Sequence, residues 1–189
     1  KIFLVLGIVI GAGLLYILIK IGLVMGIVGF VLFDSATTKV QVYKDVAKYS
    51  EYIGENCNTE YGKPRTGQFV VFPKEITPQM YVQDFQYVYY NPWDPQYVSY
   101  LTVEYKDAEA YEKELNRLQT IGMEEYTGLY SVTGEPEGFD LVAMDQDRYY
   151  GFVYAMVPES GEMKITYVGI MFCNYFLDLD IHEYMREEY

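Results

Sequence analysis

The chain carries one histidine, two cysteines and one tryptophan in 189 residues. One histidine and two cysteines are too few for a four-ligand zinc site or for a disulfide framework. Basic side chains are also scarce, 14 against 27 acids, for a formal net charge of -13. A protein that reads phosphates needs a basic face, so binding to nucleic acid is not expected. No G-x-S-x-G, S-x-x-K, H-E-x-x-H, C-x-x-C or P-loop pattern occurs in the sequence. A Cys–His nucleophile would have to use His182, and with 27 acids any carboxylate pair is a cheap coincidence. The expectation is therefore no catalytic residue, no metal, no cofactor and no enzyme.

What is present is hydrophobic sequence of two kinds. Residues 2–19 form an unbroken apolar or glycine run, and after Lys20 the run resumes through Phe33. A membrane-crossing helix needs about 20 such residues at about 1.5 Å each. Three arrangements fit: one long tilted helix with Lys20 snorkelling to a membrane face, a hairpin of two spans turning at Lys20, or a cleaved signal peptide. The second half is short for a span. The whole run far exceeds a signal peptide's apolar core, and no small-x-small cleavage site stands near its end. The reading is a retained anchor over 1–33 that contacts the lipid bilayer. All 27 acids and 12 of the 14 bases lie beyond it, a net of -15. Lys1 before the run and acids after it predict a single-pass cell-membrane protein whose C-terminal domain lies outside. Gly7/Gly11 and Gly22/Gly26 have the spacing that lets membrane helices approach closely. They provide a second idea, an accessory subunit of a membrane complex that associates through its anchor.

From Asp34 the sequence changes character. Residues 34–67 read as a linker, or first strand, followed by a short helix around Val46, Tyr49 and Ile53 capped by Asp45, then a turn-rich loop. Residues 68–189 read as the extracytoplasmic domain. Strand-like segments occupy 80–91, 96–106, 139–144, 149–157 and 163–174, and NPWDP (91–95) makes the first two a hairpin. Segment 107–122 is the best helix: Asp107 caps it, Ala108, Tyr111, Leu115 and Leu118 fall on one face, and Gly122 stops it. Both alternating sets of 149–157 are apolar or aromatic, as in an interior strand with one face under a helix. The fold class is α+β: an N-terminal transmembrane helix, then an antiparallel sheet of about five strands with one main helix packed on it.

Tyrosine is the compositional anomaly, 22 in all, of which only Tyr16 lies in the anchor. The densest cluster is Tyr87, Tyr89, Tyr90, Trp93, Tyr97 and Tyr100, around the 91–95 turn. Such rings can stack on carbohydrate or anchor an envelope protein. They equally suit half-buried strand positions and cross-strand pairs, and Trp93 is the one hardest to explain by core packing. Asp178, Asp180 and His182 alternate, with Glu183 adjacent. Extended, they would share a face and suit a divalent ion or carboxylate-dependent hydrolysis; a helix starting at Asp180 would scatter them, and a solvated acidic segment explains them as well. Asp145 and Asp147 lack the further ligands of a calcium loop and read as turn residues. Cys57 and Cys173 can pair in an oxidising space, or Cys173 is a buried strand thiol.

An apolar N-terminal anchor leads into an acidic, tyrosine-rich domain containing FPKEI (72–76), VEYKD (103–107) and AYEKEL on a helix (110–115). In this layout the chain resembles uncharacterised membrane-anchored or lipoprotein-like proteins of Gram-positive, clostridia-type bacteria. The likeness covers the layout of most of the chain, through short motifs, and the lipid-bearing cysteine of lipoproteins is missing. It implies an extracytoplasmic location and transfers no functional residue. The function expected from the sequence is a membrane-tethered extracytoplasmic binding or protein-interaction module.

Overall fold

The computed structural model describes residues 2–53, 57, 69–123, 136–173 and 177–189. The chain divides into two compact units, Lys1–Thr38 and Lys39–Tyr189.

The first unit is a single helix, α1 (Ile2–Thr37). It is continuous through Lys20, so the two-span hairpin is not adopted. Nothing in the sequence breaks it: glycine is tolerated inside an apolar helix, and there is no proline before residue 64. At about 1.5 Å per residue its 36 residues extend about 54 Å, more than the roughly 30 Å of a bilayer's hydrocarbon. The stretch Ile10–Asp34 is long and apolar enough to cross a membrane. The helix also runs one turn past the sequence boundary, because the Thr37 and Thr38 hydroxyls bond back to the carbonyls of Phe33 and Asp34.

The second unit is one antiparallel sheet of six strands, β1 (Gln41–Tyr43), β2 (Met80–Tyr90), β3 (Gln96–Tyr105), β4 (Phe139–Asp147), β5 (Gly151–Pro158) and β6 (Lys164–Met171), in the order β1-β2-β3-β6-β5-β4. The sequence reading gave about five. The sixth, β1, is three residues long and pairs with β2 in the register Gln41↔Tyr89 to Tyr43↔Tyr87. Too short to show a periodicity of its own, it gains its bonds from β2. The second compact unit, which includes β1, begins at Lys39. After β1 come a 3-10 turn (Val46–Lys48), capped by the Asp45 carboxylate on the Ala47 N–H (3.1 Å), and α2 (Tyr49–Tyr52). Tyr49, Tyr52 and Ile53 of this region are buried in the main core. The loop expected over 55–67 lies outside the described residues except for Cys57, which is buried.

Three local hairpins (β2–β3, β4–β5 and β5–β6), the β3–β6 seam and the β1–β2 pairing build the sheet. The β2–β3 hairpin closes with Tyr90↔Gln96, and the β4–β5 hairpin with Asp147↔Gly151. Asp145 and Asp147 therefore belong to β4, and the turn sits at 148–150. Gly151 has φ of +102°, and a Cβ there would lie 2.1 Å from the Ile170 carbonyl oxygen, so only glycine fits. Strand β6 then inserts beside β3, pairing Tyr97↔Met171 through Glu104↔Lys164. These registers gather the 91–95 turn, the 148–150 turn and the C-terminal end of β6 at one end of the sheet.

Helix α3 (Ala108–Ile121) links β3 to β4 across one face. Its Asp107 cap accepts from the Ala110 N–H at 2.7 Å, and Gly122 ends it with φ of +83°. Leu118 is fully buried, with Ala110, Tyr111, Leu115 and Ile121 packed beside it, whereas Ala108 is exposed. On this face Val153 and Ala155 of β5 join Leu101, Val103, Ile165 and Tyr167. The other face is covered too. Residues 177–189, with α4 (Ile181–Tyr184), lie across Tyr100, Phe152, Tyr154, Val168 and Ile170. The segment is pinned by Gln96, whose Oε1 accepts from the N–H groups of Asp178 and Leu179, and by Arg186 on Asp84. Leu177, Leu179, Ile181, Met185 and Tyr189 face the sheet, so what reads as an acidic, solvated end is a third layer with its acids outward.

Candidate functional site

The six aromatics singled out from sequence do not form one surface. Strand alternation sends them to different places. Tyr87 and Tyr97 lie at 0% and 2% exposure in the α3-side core, and Tyr100, at 3%, lies under the C-terminal segment. Tyr89 and Tyr90 are half-buried, and Tyr89 stacks on Tyr97 (5.3 Å between centroids). Only Trp93, on the turn between the two prolines, is exposed, at 58%. The tyrosine richness is mostly a core device: Tyr43, Tyr52 and Tyr87 stack successively at 5.2 and 5.4 Å. Burial pushes the Tyr87 and Tyr97 phenols well above their ordinary range, because ionising them would strand a charge among rings.

Asp178, Asp180, His182 and Glu183 are not brought together as a metal or hydrolytic site. Asp178 accepts from Gln96 Nε2 at 3.0 Å, and Asp180 caps α4. Among the described residues no group of three or more His, Cys, Asp or Glu side chains is arranged to hold a metal ion.

Among the described residues a concave site lies elsewhere. A cleft of about 590 Å³ opens between the first turns of α3 and the adjoining ends of β2 and β3. Met80, Tyr105 and Ala110 give it an apolar side; Glu109, Lys113, Glu114 and Arg117 give it charges of both signs. The last two form a bidentate pair one helical turn apart: Arg117 Nε to Glu114 Oε2 at 2.9 Å and Nη2 to Oε1 at 2.6 Å. Tyr167 donates to Glu114 Oε1 at 2.8 Å, and its hydroxyl lies 2.9 Å from that of Tyr105. Having a single proton committed to the carboxylate, Tyr167 must accept from Tyr105, which gives the chain Tyr105→Tyr167→Glu114.

Arg117 also donates to the carbonyls of Val70 (3.1 Å) and Val71 (2.6 Å) in the turn before β2. The Tyr49 hydroxyl holds the Pro73 carbonyl at 2.6 Å. Phe69 fills the space over Gly169, where a Cβ would come within 2.7 Å of its ring. The 69–73 turn is therefore clamped to α3 and the sheet. Burial works against the Arg117 charge, but the hydrogen bonds and attraction of Glu114 outweigh it and raise its pKa. Burial likewise raises the Tyr49 and Tyr167 phenols, so both tyrosines stay neutral.

Sequence reasoning missed this network. Glu114 and Arg117 look like ordinary exposed helix residues, and the only signal was their i,i+3 spacing one position off the apolar stripe. Both Glu114 oxygens are engaged, so the pair rigidifies the cleft wall and is not poised as a general base. Cys57 is buried and Cys173 half-buried. No protein-family model matches this chain, no curated protein is similar to it, and no solved structure matches its fold.

Proposed function

We propose that the chain is a membrane-anchored, extracytoplasmic binding module: α1 is the tether, and the cleft beside α3 is the seat of a small ligand with both apolar and charged groups. One observation carries the reading. The cleft wall is already locked by Glu114, Arg117, Tyr105 and Tyr167, so a ligand entering beside Met80, Glu109 and Lys113 loses little to ordering the protein. The anchor supports the location. From Ile10 to Asp34 its side chains lie on the surface of the helical unit, where lipid would solvate them, and the acids follow it.

Two experiments test the two halves. Alkaline carbonate washing of membranes should leave the intact, uncleaved chain in the pellet, and protease added outside whole cells should remove the domain. Release by carbonate, or a shortened N-terminus, would refute the tether. For the cleft, thermal unfolding of the full chain in nanodiscs is followed against a panel of free amino acids, dipeptides and monosaccharides. A ligand at about 100 times its Kd stabilises by about 2.7 kcal/mol. The shift should be largest for zwitterionic compounds and should disappear in Lys113→Glu, an exposed substitution that leaves the unliganded transition in place. A shift unchanged by Lys113→Glu would move the site away from the cleft.

A further inference from the structure

Cys57 and Cys173 are the only cysteines of the chain, and they come from opposite ends of the sheet domain's sequence. Tyr97 is where they approach each other. It stands near the start of β3, pairs with Met171 near the end of β6, and lies with Met171 in the core on the α3 side. Cys173 follows Met171 by two residues and is still β-paired, so strand alternation aims it at that same side. Cys57 arrives from the region of α2. Ile53 is buried in the same core, and Tyr52 beside it stacks on Tyr87 at 5.4 Å between centroids. Tyr87 in turn lies 6.0 Å from Tyr97. The four-residue step from Ile53 to Cys57 spans at most about 14 Å, and Cys57 ends it buried, at 7% exposure.

The electrostatics of these rings agree with that placement. Burial is the chief cause that raises the Tyr97 phenol, the charge of Tyr89 comes next, and the charges of Cys57 and Cys173 both add to it. At Tyr87 burial again leads, followed by Tyr97 and then Cys57. Such repulsion weakens with distance and is screened, so both sulfurs belong to the neighbourhood of the Tyr97 hydroxyl. A cysteine that serves only as a small apolar filler has no reason to meet the chain's one other cysteine. A pair destined for a bond must do so.

We propose that Cys57 and Cys173 are joined by a disulfide in the compartment where the domain works. The bond rests on the reading of that compartment as extracytoplasmic, because disulfides persist outside the reducing cytosol. The oxidant is a disulfide of another molecule. The thiolate of Cys173, the more exposed of the two, attacks one of its sulfurs and releases the other as a thiolate. The Cys57 thiolate then attacks Cys173 Sγ and releases the second. Two cysteine thiols and one external disulfide thus become one internal disulfide and two external thiols, which carry away both protons. The bond closes a loop that contains β2 through β6 and ties the chain beyond α2 to the end of β6, so its main effect is to restrict the unfolded chain.

Two arms test the bond on the full chain. In the first, membranes are dissolved in acid, which stops thiol exchange, and the denatured chain is treated with a maleimide-bearing polymer that slows it on a gel once per reduced cysteine. Without reductant the chain should run as an unshifted monomer; after reductant it should take up two polymers, one for each of its two cysteines. In the second arm the purified, reduced chain is given oxidised glutathione in detergent. Its mass should fall by two hydrogens with no glutathione attached. Reductant should then lower its thermal midpoint by about 10 °C, and the same treatment should not move the midpoint of Cys57→Ser. Glutathione attached to both cysteines, or a linked dimer, overturns the pairing whatever the location of the domain. Closure in the second arm with two polymers taken up in the first overturns the disulfide in the cell, and protease treatment of whole cells then says whether the extracytoplasmic reading fails with it.

Discussion

Raising the pH attacks this protein at its commonest core residue. Tyr49, Tyr87, Tyr97, Tyr105, Tyr154 and Tyr167 are each at most 5% exposed, and burial raises the pKa of all six. A group whose folded pKa lies above its unfolded value stabilises the fold fully below the unfolded pKa, near 10 for tyrosine, and the contribution falls away above it. One unit above that value, at about pH 11, each unfolded tyrosine gains about 1.4 kcal/mol from ionising while its folded counterpart gains almost nothing. Six of them shift the balance by about 8 kcal/mol, as large as the whole stability of a typical domain. The sheet should therefore unfold cooperatively between about pH 10 and 11.5. The assay is tyrosinate absorbance at 295 nm and far-ultraviolet circular dichroism on one detergent-solubilised sample. The buried set should ionise in a step that coincides with loss of the β signal. Smooth ionisation of every tyrosine around pH 10 with the β signal intact would refute the assignment of these rings to the core.

Three further outcomes follow from particular contacts. Glu114→Gln strands a half-buried guanidinium and should cost about 1–2 kcal/mol in urea denaturation, while Glu114→Leu combined with Arg117→Leu should cost less than the sum of the two single changes. Additive losses would show that the pair does not act as a unit. Gly151→Ala meets the Ile170 carbonyl and a positive φ together and should cost about 3 kcal/mol or more, enough to abolish the folded yield; near-normal stability would contradict the β4–β5 turn geometry. Deleting residues 177–189 uncovers Val88, Val98, Phe152 and Ile170, and the shortened chain should bind anilinonaphthalene sulfonate and self-associate. An unchanged monomer-sized particle that binds no dye would mean that the segment does not cover that face.

Some of this architecture is written in local pattern, and some is not. An eighteen-residue apolar run is a helix in any context that withholds water, and the Asp107 cap and the Gly122 stop bound α3 because capping is satisfied within one turn of chain. The alternation of 149–157 announces an interior strand, since period-two apolar sets on both faces have no other use. The sixth strand, the third layer and the cleft could not be read so. The three residues of β1 become a strand only through the free edge of β2. Residues 177–189 look solvated because their acids are the outward half of an amphipathic strap, whose inward half has meaning only against a sheet face formed by residues far away in sequence. Trp93 was legible as an outlier in a turn, but Tyr87, Tyr97 and Tyr100 share its neighbourhood in sequence and not its environment, because alternate residues face opposite sides.

By itself, then, the sequence determined the long apolar N-terminal helix, the main helix, five of the strands and the negative charge of the domain, each a property of neighbouring residues. Tertiary structure alone decided which tyrosines are core and that Glu114 and Arg117 close on Tyr167 and the 70–71 carbonyls. Those depend on the β3–β6 seam and on strand register, which join residues up to about 70 positions apart and leave no periodic trace in either segment.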